Sequence, residues 1–288
     1  MSNLRPLALV AAAALSAIVL SGCAAGTPAE PAAPTAGAAD CTPAHEFTTI
    51  NDGVLSIAAM NTPPKFSAAT PDGPYDGIDY YLNVAFAEEN CLTPDFNPVT
   101  PPAATLELQE GRADMIGGLV LGSPARAEVF NLSDRVLFET LGISSKDGYE
   151  TVGDLVGKKV GVISGSSYAQ IMMDAIGADN VVEYQTDVNI FQDIQAGRID
   201  AGAMPSLHGV YLSGQFPEVA TVQVADDPEY PEATQLFENV WPSTKGNDAL
   251  TEAMNAFIAE AHAGGLVKEA LVKAGIAEDK ADFYLNGR

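Results

Sequence analysis

From Val54 onward, short apolar runs alternate with longer stretches whose apolar positions recur at helical spacing. Val54–Met60, Asp114–Leu119, Lys159–Ile163, Val181–Tyr184, Ile199–Ala203 and Ala220–Val224 read as strands. Tyr80–Glu89, Thr105–Glu110, Ser123–Phe130, Ser166–Ile176, Asn189–Ala196, Asp248–Ala263 and Leu266–Ala274 read as helices. That order predicts an α/β fold with parallel strands. No internal repeat is apparent.

The pattern ahead of Val54 is different. Arg5 precedes an apolar run, Leu7 to Leu20, that falls short of the about 20 residues a membrane-spanning helix needs. It reads as the hydrophobic segment of a secretory signal occupying residues 1–22. The sequence Leu20-Ser21-Gly22-Cys23 resembles the bacterial lipobox. That resemblance implies cleavage before Cys23 and attachment of diacylglycerol and palmitate to it, giving a lipoprotein held at the cell membrane. Residues 24–40 are mostly Ala, Pro, Gly and Thr, a composition that cannot bury a core. Residues 23–40 therefore form the expected lipid-anchored tether, and the folded part starts near Cys41.

Charge narrows the function. With 38 acidic and 14 basic residues, the net charge of -24 excludes nucleic acid as a partner, since binding it requires a basic surface. It also disfavours adsorption to anionic lipid, which leaves the acyl chains on Cys23 as the membrane link. Once Cys23 is assigned to lipid, two of the three cysteines remain, Cys41 and Cys91. An even pair in an oxidising compartment points to a disulfide, with two free thiols as the alternative. The bridge would close a loop of roughly 50 residues and stabilise by about 4 kcal/mol in the loop-entropy model. His45, His208 and His262 have no metal-ligand spacing, so neither a metal nor a cofactor is expected.

Several segments, in order, resemble the family 3 extracellular solute-binding proteins, which bind polar amino acids and opines. They include Asp72-Gly73 with Gly77-Ile78-Asp79, and Leu106 to Asp114 followed by Met115-Ile116-Gly117-Gly118. Pro124-Ala125-Arg126-Ala127 with Asn131-Leu132-Ser133-Asp134 continues the series. The second half adds Asp154 to Val162, Gly165-Ser166-Ser167, Gln192 to Ala201, and Lys245-Gly246-Asn247. Each motif is weak alone; their order and spacing, from about Val54 to Ile276, make the resemblance specific.

The resemblance implies a two-lobed type II periplasmic-binding fold with a hinge and an interlobe cleft. Lobe one would comprise residues 41–140 plus 237–288, and lobe two residues 141–236. The crossings are expected near Phe138–Ser144 and Gln235–Trp241, with Trp241 packed at the hinge. Asp114 and Asp200 read as structural acids at strand entries.

The residues themselves point to a small anion. An Arg fork together with backbone N–H groups at a helix start holds a carboxylate well. Arg126 lies in the first turns of a helix preceded by Gly122, with Leu119 and Leu121 just upstream offering backbone groups, and Gly165-Ser166-Ser167 opens another helix after an apolar strand. By resemblance, Arg126 and Ser167 clamp the ligand carboxylate, with Ser166 beside them; for Ser166 and Ser167 a helix-cap role is compatible. Phe66 is either a cleft aromatic or a core residue. The position where amino acid binders of the family carry an acid for the α-ammonium falls here on Pro205. A ligand lacking a free α-amine follows, unless Asp72, Asp76 or Asp79 replaces that acid.

The expected function is capture of a small carboxylate, an amino acid or derivative, for amino acid transport through an ABC transporter permease, by a monomeric protein. Two other classes stay open at this point: a periplasmic-binding-fold enzyme such as a cyclohexadienyl-type dehydratase, and a ligand-sensing module. The chain has no Ser-His-Asp ordering to support catalysis, and no catalytic residue is assigned.

Overall fold

The computed structural model describes residues 41–224 and 227–287; the signal, the tether and Cys23 lie outside the described residues. Two five-stranded sheets organise the chain. The first runs in the order Thr93–Val99, Val54–Met60, Met115–Gly117, Pro242–Ser243, Asn131–Leu132. Val54–Met60 lies inside it, parallel to Thr93–Val99 and to Met115–Gly117, and is buried along nearly its whole length. An interior parallel strand must be apolar on both faces, which is why this segment is legible in the sequence. Its edge partner Thr93–Val99 was not expected from the pattern. It carries Pro94 and Pro98, which suit an edge strand because no second neighbour needs their N–H groups.

The second sheet has the order Val181–Tyr184, Val160–Ile163, Ala201–Pro205, Leu141–Ser145, Ala220–Gln223. Its first pairs are parallel, and Leu141–Ser145 runs antiparallel between its two neighbours. A small three-stranded sheet joins the halves: Val120–Leu121, Phe237–Val240, Leu137–Glu139. Leu137–Glu139 leads directly into Leu141–Ser145 of the second sheet, and Phe237–Val240 into Pro242–Ser243 of the first. The chain therefore crosses twice between sheets, and the two crossings pair with each other, Phe237 opposite Glu139 and Asn239 opposite Leu137. This is the two-lobed α/β arrangement.

The helices start where their caps dictate. Ser166 accepts from the Ala169 N–H at 3.2 Å and opens Ser167–Ile176. Thr186 opens Asp187–Gln195 and Asn247 opens Asp248–Ala263 in the same way. The helix expected from Thr105 begins earlier, at Pro101, because prolines suit a first helical turn. Ser206–Ser213 and Glu278–Asn286 are helices that the pattern did not announce. Trp241 is fully buried just beyond the crossing strand, against Phe86 and Phe257. Cys41 and Cys91 are joined, Cα atoms 5.8 Å apart, tying the start of the folded chain to the end of helix Ile78–Glu89.

Candidate functional site

In open parallel sheets, ligands collect beyond the carboxyl ends of the strands. In lobe one, Met115–Gly117 ends in a tight loop, Gly118-Leu119, before Val120–Leu121 joins the hinge sheet opposite Val240 and Asn239. Leu119 has a φ of 53°, which a β-carbon disfavours, so its surroundings must hold it there. They do so from both sides. The Gly118 N–H donates to the Asp79 carboxylate, and the Leu119 carbonyl accepts from Lys65 Nζ at 3.3 Å.

Ser123 caps the next helix, Pro124–Val129, and accepts from the Arg126 N–H at 3.3 Å. The Arg126 side chain turns back to donate to the Leu121 carbonyl. Leu121 and Arg126 are thus brought together on an exposed shelf beside the hinge. Arg126 forms no salt bridge among the described residues. Desolvation by the surrounding protein lowers its guanidinium pKa, with no carboxylate nearby to offset this. An anion placed on this shelf would remove that mismatch.

In lobe two, Val160–Ile163 ends at Gly165-Ser166 and the helix Ser167–Ile176 begins. Ser166 is its cap; the Ser167 side chain lies outside what the structure describes. The following Tyr168 packs edge-on against Phe237 of the crossing strand, centroids 6.1 Å apart. Burial first, then the charge of Glu139, raises its hydroxyl pKa. Both strand–turn–helix elements therefore abut the same hinge sheet, Leu121 through strand pairing and Tyr168 through side-chain packing. Pro205 ends its strand opposite Leu141, at the foot of helix Ser206–Ser213.

Phe66 and the three acids left open as alternatives can now be located. Phe66 is fully buried against Phe96 and Tyr75, with centroids 5.5 and 5.6 Å away, and is a core residue of lobe one. Aromatic packing outweighs cleft exposure at that position. Asp79 is fully buried, with its two oxygens occupied by Gly118 N–H and Trp241 Nε1, so it holds no ligand ammonium. Burial, the main cause, pushes its pKa up to about 6, opposed by those two donors, Asn83 and Lys65. Asp76 is exposed and bonded to Tyr81 and Gly77, and Asp72 is exposed too.

A polar cluster at the hinge was missed altogether. Lys65 Nζ lies 2.9 Å from Asn239 Oδ1 and 3.5 Å from Glu139 Oε2, all three residues buried. Glu139 Oε1 accepts from Ser206 Oγ at 2.8 Å and from the Leu207 N–H at 3.1 Å. One carboxylate thus links a lobe-one loop to the start of a lobe-two helix. His208, on that helix, faces the Pro63 backbone and lies 3.9 Å from Asp187. Burial, then Lys65, pushes its pKa down to about 4, while burial pushes Asp187 up to about 6. The sequence held one signal for this cluster: Lys65 is the only charge between Asp52 and Asp72, and Glu139 the only one between Arg135 and Lys146.

A two-lobed α/β body, with an arginine at a strand end that has no salt bridge among the described residues, has the architecture of the solute-binding proteins. The chain belongs to the bacterial extracellular solute-binding proteins, family 3, matching that family over residues 55–274. It is 26% identical over 220 residues to the L-cystine-binding protein TcyJ of Escherichia coli (strain K12), covering 75% of this chain and 80% of TcyJ. Among solved structures it resembles AbpA from Streptococcus pneumoniae, an amino acid ABC transporter substrate-binding protein bound to L-arginine. The TM-score there is 0.64 at 21% identity, covering 80% of this chain and 96% of AbpA. It also resembles the ancestral amino acid-binding protein AncCDT-1, described as a precursor of cyclohexadienyl dehydratase. That match has a TM-score of 0.63 at 21% identity and covers 77% of this chain and 95% of AncCDT-1.

Proposed function

We propose that this chain is the lipid-anchored capture component of an ABC importer, taking a small carboxylate-bearing solute, an amino acid or derivative, into its interlobe cleft. Lobe one, residues 41–140 plus 237–288, offers Arg126 with the Leu119 and Leu121 backbone. Lobe two, residues 141–236, brings Ser166 and Ser167 at a helix start, with Pro205 at the end of the neighbouring strand. Closure about the crossing strands then buries the ligand. The observation that carries this reading is Arg126: it is exposed, oriented by the Leu121 carbonyl, and has no acidic partner among the described residues. Its capacity for a bidentate anion contact is unused among the described residues.

Calorimetry with the L-amino acids and their des-amino and N-acyl analogues tests the reading. For the tightest binder, Arg126→Ala should weaken affinity roughly 30-fold or more, because a buried carboxylate loses its partner. An unchanged affinity refutes the assignment. The likeness to AncCDT-1 keeps an enzymatic reading in view, and turnover of a prephenate-like substrate would favour it. For the anchor, Cys23→Ser should abolish acyl labelling and release the protein from the membrane fraction. Wild-type protein that never takes up label would remove the lipid from the proposal.

A further inference from the structure

Three acceptors converge on one point at the hinge: the Glu139 carboxylate, the Asn239 side-chain carbonyl and the Leu119 main-chain carbonyl. They come from the two crossing strands and from the loop that presents Leu119. A carboxylate with two neutral carbonyls is the acceptor set that suits a primary ammonium, which has three N–H donors and no lone pair. Glu139 and Asn239 are fully buried, and Glu139 Oε2 has no hydrogen-bond partner among the described residues beyond the charge facing it. The group occupying this set belongs to the chain itself: Lys65 Nζ, on a residue only 8% exposed.

We infer that Lys65 fills, in cis, the ammonium subsite of this cleft, and that it thereby selects carboxylate ligands carrying no free α-amine. The inference rests on the proposed carboxylate site at Arg126. An incoming ammonium would have to displace Lys65 from its carboxylate, or share the site with a second positive charge. Both options disfavour it relative to a ligand that presents only an anion. Lys65 is accordingly a specificity residue, holding Glu139 and Asn239 out of reach.

Lys65→Ala removes four heavy atoms, and n-propylammonium carries the same four. In a thermal-shift titration, n-propylammonium should raise the melting temperature of Lys65→Ala saturably, by about 3 °C at ten times its dissociation constant. Wild type and the double variant Lys65→Ala/Glu139→Gln should not respond, and 1-propanol, lacking the charge, should have no effect on any of them. If Lys65→Ala does not fold alone, its folding should become dependent on n-propylammonium. Absence of a specific response in folded Lys65→Ala, or of rescue in an unfolded one, overturns the inference. The probe carries no carboxylate, so adding Arg126→Ala should leave its effect intact. Failure of the carboxylate site would therefore appear only in the calorimetry of Arg126→Ala, and failure of the ammonium subsite only here.

Discussion

The strand-end loops of the two lobes are built in opposite ways. In lobe one, Gly118 and Leu119 are held by a buried carboxylate on one side and a buried ammonium on the other, with Arg126 bracing Leu121. In lobe two, the turn through Gly165 has open space around it, and its one described side-chain bond is the Ser166 helix cap. The first loop is pre-organised and the second adaptable. Affinity gains most from contacts whose ordering was completed during folding. On the proposed function, the contrast predicts initial capture by lobe one and closure by lobe two.

The largest test of that contrast is the disulfide, which lies wholly in lobe one and spans 50 positions in sequence. Reduction should lower unfolding free energy by about 4 kcal/mol in the loop-entropy model. Hydrogen exchange should accelerate in residues 41–140 before residues 141–236, and uniform acceleration would blur the distinction. The glycines come next. Gly118 has a φ of 100°, and a β-carbon there would lie 2.9 Å from the Met60 carbonyl oxygen. Gly165 has a φ of 72° and nothing within 4 Å. Gly118→Ala should cost about 3 kcal/mol, from backbone strain plus a clash with main chain. Gly165→Ala should cost about 1 kcal/mol, from the left-handed backbone alone. Equal costs in denaturant titration would show that the loops do not differ in rigidity.

A pH-dependent test probes the lobe-one brace. Asp79 has its pKa raised to about 6, so between about pH 4 and 6 the folded state keeps a proton that the unfolded chain releases. The stability it contributes is complete below its unfolded pKa and is lost as pH rises through 6. Asp79→Asn should remove that component, flattening the stability profile relative to wild type by on the order of 1 kcal/mol per pH unit. Parallel profiles for the two proteins would mean that Asp79 does not titrate there. His208 works the other way: with its pKa lowered to about 4, its contribution is lost as pH falls from its ordinary value, and over the same window it opposes Asp187.

Much of the fold could be read from local features. Val54–Met60, Val181–Tyr184 and Asp248–Ala263 were delimited as the structure has them: Val54–Met60 because an interior strand is apolar throughout, Val181–Tyr184 because its residues favour strands although it lies at an edge, and Asp248–Ala263 because a helix announces its cap. Arg126 and Ser166 could be singled out for the same reason, each sitting in a strand–turn–helix whose punctuation is local. Thr93–Val99 was hidden because its prolines are tolerated only at a sheet edge, and a sequence does not say where the edge lies.

By itself the sequence determined the α/β class, several of the core strands and helices, the acidic character and the family. Only the tertiary structure decided which way neighbouring side chains face. Phe66 enters the lobe-one core, while Lys65, one residue earlier, reaches Asn239, 174 positions away. Periodicity reports burial and cannot separate a buried aromatic in a core from a buried charge in a hinge. The partners that make burying Lys65 tolerable come from Leu119, Glu139 and Asn239, and only folding brings them to one point.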